Sequence, residues 1–192
     1  MAPFAGGAAW HLGQWDTMAE YVQLLSDDSF EGSYYRSILS AFQGQQDHAQ
    51  LHLTKARGFL VAELRATLSE SYGRAYRALV RCQQLSEVEE VIDYQRAKQE
   101  GNTDRQEIIK LTWTKRLYGM QRYAILSLPC SFFIQGQIIS LHISSFLQHR
   151  NVEIWQDVLE IRSLVLSPLE DRQNWLRFAR YFSKSGDGID LV

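Results

Sequence analysis

Apolar residues recur three and four positions apart along most of the chain, the period of a helix with one buried face. The first such run covers residues 8–25. Trp10, Trp15, Met18, Val22 and Leu25 fall mostly on one side of it, and Ser26-Asp27-Asp28 supplies turn residues behind it. A second helix is predicted over residues 30–42, with Tyr34, Tyr35, Ile38, Leu39 and Phe42 as its stripe and Gly44 as its stop. A long third helix, residues 45–68, would bury Ala49, Leu53, Ala56, Leu60 and Leu64. Ser69 is a fair N-cap for a helix over residues 70–84, where Tyr72, Ala75, Tyr76, Leu79 and Val80 keep the helical period. Ser86-Glu87-Val88-Glu89 has the form of a capping box and predicts a separate helix to residue 95. Residues 97–103 contain Gly101-Asn102 and read as a loop, and Asp104 opens a helix to residue 118. Ser167-Pro168-Leu169-Glu170 combines a Ser cap, Pro at the first helical position and Glu at the third. It predicts a helix to residue 183 that buries Trp175, Phe178, Tyr181 and Phe182 and ends by Gly186.

No segment outside residues 123–149 alternates with period two, so the expected fold class is all-α. Consecutive amphipathic helices with short polar joints pack as antiparallel hairpins, here stacked as a fragment of a tetratricopeptide- or HEAT-like solenoid. Trp10-His11-Leu12-Gly13-Gln14-Trp15 is close to the Trp…Leu-Gly…Tyr opening of a tetratricopeptide repeat, one residue tighter. Gly13 is expected to lie against aromatic neighbours and let two helices approach closely.

Residues 123–149 break the pattern. These 27 residues contain no Asp, Glu, Lys or Arg, in a chain otherwise dense in charge. Their length would suit a transmembrane helix, but Pro129, Gln135, Gly136, Gln137 and several serines weaken that reading. A buried core segment would have to pair the same Ser and Gln groups. The favoured reading is an insertion foreign to the fold, such as translated non-coding sequence. Joining Arg122 to Asn151 places Ile109, Trp113, Leu117, Met120, Val152, Trp155 and Leu159 at spacings of 4, 4, 3, 4, 3 and 4. Left in place, the segment is expected to lie loosely on the surface or to form a short helix of its own over residues 134–147.

Composition narrows the function. Lys and Arg number 20 against 22 Asp and Glu, a net charge of −2, which argues against a general nucleic-acid binder and a polybasic membrane-surface protein. Cys82 and Cys130 form no CxxC pair and read as reduced thiols of a cytosolic protein. Residues 1–7 have no basic or apolar region of a secretory signal and read as a flexible lead.

Candidate chemistry is sparse. His48 and His52 have the i, i+4 spacing of two zinc ligands, but no third ligand lies near them in sequence and a solvated polar face explains them better. Glu87, Glu89 and Glu90 could suggest paired carboxylates, but they read more simply as early-turn acids at a helix start. The Tyr and Trp positions have core spacing rather than the arrangement of a ligand box. Arg74, Arg77 and Arg81 are the one run that could line a peptide-gripping groove. A phosphate loop, a strand lysine and the acids that hold magnesium in a kinase are absent from the sequence, and Gly186-Asp187-Gly188 is a lone GxG in a tail. The expectation is therefore no catalytic residue, no metal ligand and no cofactor.

Several stretches together resemble the FAT region of the target-of-rapamycin (TOR) kinases, within the PI3K-related kinase family. They are Ala8-Ala9-Trp10-His11-Leu12-Gly13-Gln14-Trp15-Asp16, Glu70-Ser71-Tyr72-Gly73-Arg74-Ala75-Tyr76 and Gln84-Leu85-Ser86-Glu87-Val88-Glu89-Glu90-Val91-Ile92. Ile161-Arg162-Ser163-Leu164-Val165-Leu166-Ser167-Pro168 and Trp175-Leu176-Arg177-Phe178-Ala179 extend the match. The resemblance implies tetratricopeptide-like hairpins that form part of a C-shaped clamp around a kinase domain. The chain is then a non-catalytic scaffold segment of a serine/threonine kinase in growth and nutrient signalling. Its partners would be the kinase domain, neighbouring repeats and TOR complex subunits. The implied location is the cytoplasm, with the parent also at endomembranes and in the nucleus. A stand-alone tetratricopeptide-like adaptor is the alternative. The expected division is a lead over residues 1–7, FAT-type repeats over 8–122, the insertion over 123–150, repeats again over 151–186 and a tail over 187–192. Residues 123–150 and the tail depart from the family pattern, which suggests a fragment.

Overall fold

The structure is a computed structural model that describes residues 2–67, 72–122, 133–134, 137–138 and 152–186. Among them are eight helices: α1 (Ala2–His11), α2 (Trp15–Gln23), α3 (Phe30–Phe42), α4 (Gln46–Thr67), α5 (Tyr72–Gln99), α6 (Thr103–Arg122), α7 (Val152–Arg162) and α8 (Arg172–Gly186). The chain divides into two compact units, Met1–Glu100 and Gly101–Val192.

In the first unit α1 pairs with α2, α3 with α4, and α4 with α5, while α1 also touches α3 and α3 touches α5. The helices α1, α3 and α5 therefore touch in succession, and the fold class is all-α. Ala49, Leu53, Ala56, Leu60 and Leu64 are all buried along α4, the five positions expected from spacing alone. Met18, Val22, Leu25, Phe30, Tyr34, Ile38 and Ala41 are buried as well, and so are Leu85, Val88, Val91 and Ile92 on α5.

Several expectations for the first unit need correction. Residues 2–7 are not a lead: they form most of α1, with Gly6 and Gly7 buried. The single helix expected over residues 8–25 is two helices. Gly13 adopts φ +66° and turns the chain between them, in a left-handed conformation that glycine enters without strain. No atom lies within 4 Å of where a Gly13 Cβ would be, so the close approach falls elsewhere. A Cβ on Gly7 would stand 2.8 Å from the Tyr35 hydroxyl, which makes Gly7 the residue that admits an aromatic neighbour. Finally, the helices expected over 70–84 and 86–95 are one 28-residue helix, α5. Leu85 and Val88 carry the buried stripe through the supposed break, and the Ser86 hydroxyl donates back to the Cys82 carbonyl at 3.1 Å instead of capping.

In the second unit α6 begins where Asn102 Oδ1 accepts the Arg105 N–H at 3.0 Å, so Asn102 caps the helix that was expected to start at Asp104. Leu117, Trp155, Val158 and Leu159 form a cluster against which Trp175 and Phe178 pack. Ile109 and Trp113 are buried as well, whereas the Met120 and Val152 side chains lie outside the described residues. Ser167 and Glu170 do form a reciprocal box: the Ser167 N–H donates to Glu170 Oε2 at 2.8 Å and the Glu170 N–H to Ser167 Oγ at 3.3 Å. That box closes a single turn, and α8 starts after it at Arg172. Tyr181 and Phe182, read as core, have side chains outside the described set.

Within the charge-free segment, β1 (Phe133–Ile134) pairs antiparallel with β2 (Gln137–Ile138), in the register Phe133↔Ile138 and Ile134↔Gln137. The short helix weighed for residues 134–147 is thus not formed at Ile134, Gln137 or Ile138. Phe and Ile favour extended backbone, and here that preference prevails.

Candidate functional site

The polar side chains of the first unit are arranged to tie helix to helix. Arg36 on α3 reaches back to the C-terminal end of α2. Its guanidinium donates to the carbonyls of Leu25 at 2.7 Å, Val22 at 3.2 Å and Ser26 at 3.4 Å, and pairs with Asp27 at 2.9 Å. The Val22 carbonyl also accepts the Leu25 N–H and the Ser26 carbonyl the Ser29 hydroxyl, so one cation adds to the bonds that close α2 and fixes α3 against it. Ser29 caps α3, accepting the Gly32 N–H at 3.1 Å.

Two further arginines bridge the next helices. Arg81 on α5 pairs with Glu31 of α3 at 2.7 Å and Glu63 of α4 at 3.3 Å, and lies 4.7 Å from the centroid of the Phe30 ring. Arg57 on α4 grips Glu89 of α5 in a two-pronged pair, with Nη1 at 3.0 Å from Oε1. Gln95 on α5 donates to the Ala41 carbonyl at the end of α3, at 2.9 Å. The Arg57 hydrogen bonds hold the Glu89 carboxyl below its ordinary 4.5, against a smaller opposing effect of burial. A carboxylate with a depressed pKa contributes stability above its unfolded value and loses it as pH falls toward the folded one. Stability of the chain is therefore expected to fall as pH drops below about 4.5. Glu89→Gln should flatten that slope in urea titrations taken at a series of acidic pH values.

The second unit has a buried polar centre. Arg162, at the end of α7, is fully buried, donates to the Trp113 carbonyl at 3.3 Å and lies 5.4 Å from that indole's centroid. Asp171, just ahead of α8, accepts from Asn174 Nδ2 at 2.6 Å. Burial pushes its carboxyl pKa up, countered in part by the Asn174 bond and the charges of Arg162 and Lys110.

Each sequence candidate now has a place. His48 is exposed and His52 half-buried on α4, and among the described residues no three His, Cys, Asp or Glu side chains gather as a metal would need. Glu87, Glu89 and Glu90 are not early-turn acids, because they sit in the middle of α5. Glu87 is fully buried and accepts from Gln83 at 2.8 Å, and Glu89 is held by Arg57. Of the arginine run, Arg81 is committed to Glu31 and Glu63, Arg77 is exposed, and the Arg74 side chain lies outside the described residues, as do Cys130 and Asp187-Gly188. Cys82 is buried and is not joined in a disulfide. Trp10, Trp113 and Trp155 are core, and Trp15 stacks on Phe42 at 3.9 Å. The cross-helix role of Arg36, Arg57 and Gln95 was not foreseen. Each lies on the polar side of its own helix pattern, and nothing in one sequence pairs it with a carbonyl or acid on another element. Among the described residues no helix is long and apolar enough to cross a membrane.

Stacked hairpins fastened by such ties define a helical-repeat protein whose polar chemistry serves its own architecture. The comparisons identify which kind: the FAT domain family model matches residues 2–126 and 144–188, and the chain belongs to that family. The chain is similar to serine/threonine-protein kinase TOR of Oryza sativa subsp. japonica, at 38% identity over 97% of this chain and 7% of the rice protein. The Arabidopsis thaliana kinase of the same name is 37% identical over 97% of the chain and 7% of its own length. Serine/threonine-protein kinase TOR2 of Saccharomyces cerevisiae is 36% identical over 97% of the chain and 6% of its own length. This chain thus corresponds to the FAT portion of TOR kinases and spans only a small fraction of their length.

Proposed function

We propose that the chain acts as a non-catalytic scaffold within a TOR-type serine/threonine kinase. It would supply rigid helical surface to the kinase domain and the neighbouring repeats of its parent, and to subunits of the TOR complex, in the cytoplasm. The observation that carries this reading is the use of Arg36, Arg57, Arg81 and Gln95 to lock hairpin to hairpin in a FAT-family stack. Such ties hold a fixed shape, which is what a scaffold transmits. The adaptor alternative rests on Arg74, Arg77 and Arg81 lining a groove; Arg77 is exposed, but Arg81 is occupied by Glu31 and Glu63. The purified chain is expected to transfer no phosphate from ATP. Substituted for the matching segment of the Saccharomyces cerevisiae kinase, it should preserve that kinase's activity. Phosphorylation by a clean preparation of the chain, or a folded but inactive chimera, would overturn the proposal.

We propose also that residues 123–150 stand outside the repeat stack. The uncharged run and the continuous apolar spacing across an Arg122–Asn151 joint support it, and the gap in the family match supports it for residues 127–143, the match taking in 123–126 and 144–150. A chain with that joint is expected to keep its helicity and gain soluble yield, since inserting residues into a loop costs little closure entropy but uncovered apolar residues cost solubility. A fall in the urea midpoint worth more than about 2 kcal/mol would make the segment part of the core.

A further inference from the structure

We propose that Ser167 is a phosphorylation site for proline-directed protein kinases, and that the phosphate opens the turn between α7 and α8. Ser167-Pro168 is the one Ser-Pro or Thr-Pro pair in the chain, since Pro3 follows Ala2 and Pro129 follows Leu128. Kinases of this class select proline directly after the acceptor, a residue with no backbone N–H to leave unpaired in the cleft. The pair lies where such an enzyme can reach it. Ser167, Pro168, Leu169 and Glu170 are four consecutive exposed residues, and Leu169 is 83% exposed. Leu166 and Asp171, on either side, are buried and anchor the ends of this projecting tip. The two bonds of the Ser167–Glu170 box are both solvent-exposed, so the tip opens locally at small cost.

In the transfer, Ser167 Oγ attacks the γ-phosphorus of ATP and the bond from that phosphorus to the bridging oxygen breaks. ADP leaves, and the hydroxyl proton passes to the kinase's catalytic base. The product carries about two negative charges on the very group that accepts the Glu170 N–H at 3.3 Å. The other half of the box is the Glu170 carboxylate, which accepts the Ser167 N–H at 2.8 Å. Phosphorylation thus sets two anions on one reciprocal box, where before there was a hydroxyl and a carboxylate. They repel, the carboxylate swings away, the Ser167 N–H loses its acceptor, and the turn into α8 loosens.

The test uses the full chain, incubated with a purified mitogen-activated protein kinase and magnesium ATP. Peptide mass spectrometry is expected to find one phosphate, on Ser167. Ser167→Ala and Pro168→Ala should each abolish it, the second while keeping the acceptor hydroxyl. Amide exchange at Ser167 and Asp171 should rise roughly tenfold on phosphorylation, the equivalent of one charge-assisted hydrogen bond. Glu170→Gln, with no charge to repel, should show a much smaller rise. An unmodified Ser167 in the wild-type digest would overturn the proposal, as would a phosphate retained there in Pro168→Ala. So would a phosphorylated chain whose amide exchange is unchanged.

Discussion

Trp113→Ala is expected to destabilise the second unit by about 3–5 kcal/mol, the range for deleting a large aromatic from a packed core. Trp113 is 1% exposed, and its carbonyl and ring are both used by Arg162, which is itself fully buried. Removing the indole empties a fully buried space and takes away the aromatic face beside a buried cation. Trp113→Phe, which keeps a ring, should lose much less. Hydrogen exchange across α7 measures the outcome: fast exchange in Trp113→Ala with α4 still protected is expected. Equal protection of α7 in both variants and wild type would show that the ring does not hold the unit together.

The second large effect is expected at Gly32. A Cβ there would stand 2.2 Å from the Ser26 carbonyl oxygen and 2.9 Å from both Arg36 Nη1 and Ser29 Oγ. The first of these atoms is backbone and cannot rotate away. Gly32→Ala must therefore push the turn between α2 and α3 off the first turn of α3, at a cost of about 1–3 kcal/mol for overpacking. The Ser29 cap and the Arg36 bracket share those atoms and go with it. Alanine favours helix over glycine by about 1 kcal/mol, so propensity alone predicts the opposite sign. A thermal melt of Gly32→Ala above wild type would show that the turn yields freely.

The contrast at Gly32 also shows what was legible in the sequence. Where one face of a helix settles the matter, as in α4, spacing named every buried position. The family was legible too, because runs such as Leu85-Ser86-Glu87-Val88-Glu89 combine core and surface positions in a specific order. The same run misled at the local level. A capping box and a helix interior share the Ser-x-x-Glu pattern, and only the continuity of Leu85 and Val88 with the α4 core chose between them. Likewise Phe42, read as core, is 45% exposed and stacks on Trp15, a contact between two hairpins. Charged ties such as Arg57 to Glu89 span 32 positions, beyond any periodicity within one helix.

The outward-facing turns at Gly13, Gly44 and Gly101 have a practical use. At each of them φ is positive and no atom lies within 4 Å of where a Cβ would be. Exposed, uncrowded loop tips are where chains best tolerate added material. A fluorophore-bearing cysteine beside Gly44, or a short epitope spliced in at Gly101, would report on the scaffold from outside without touching the ties that hold it. Paired labels at the tips beside Gly13 and Gly44 would turn the spacing of the first two hairpins into a distance readable by energy transfer.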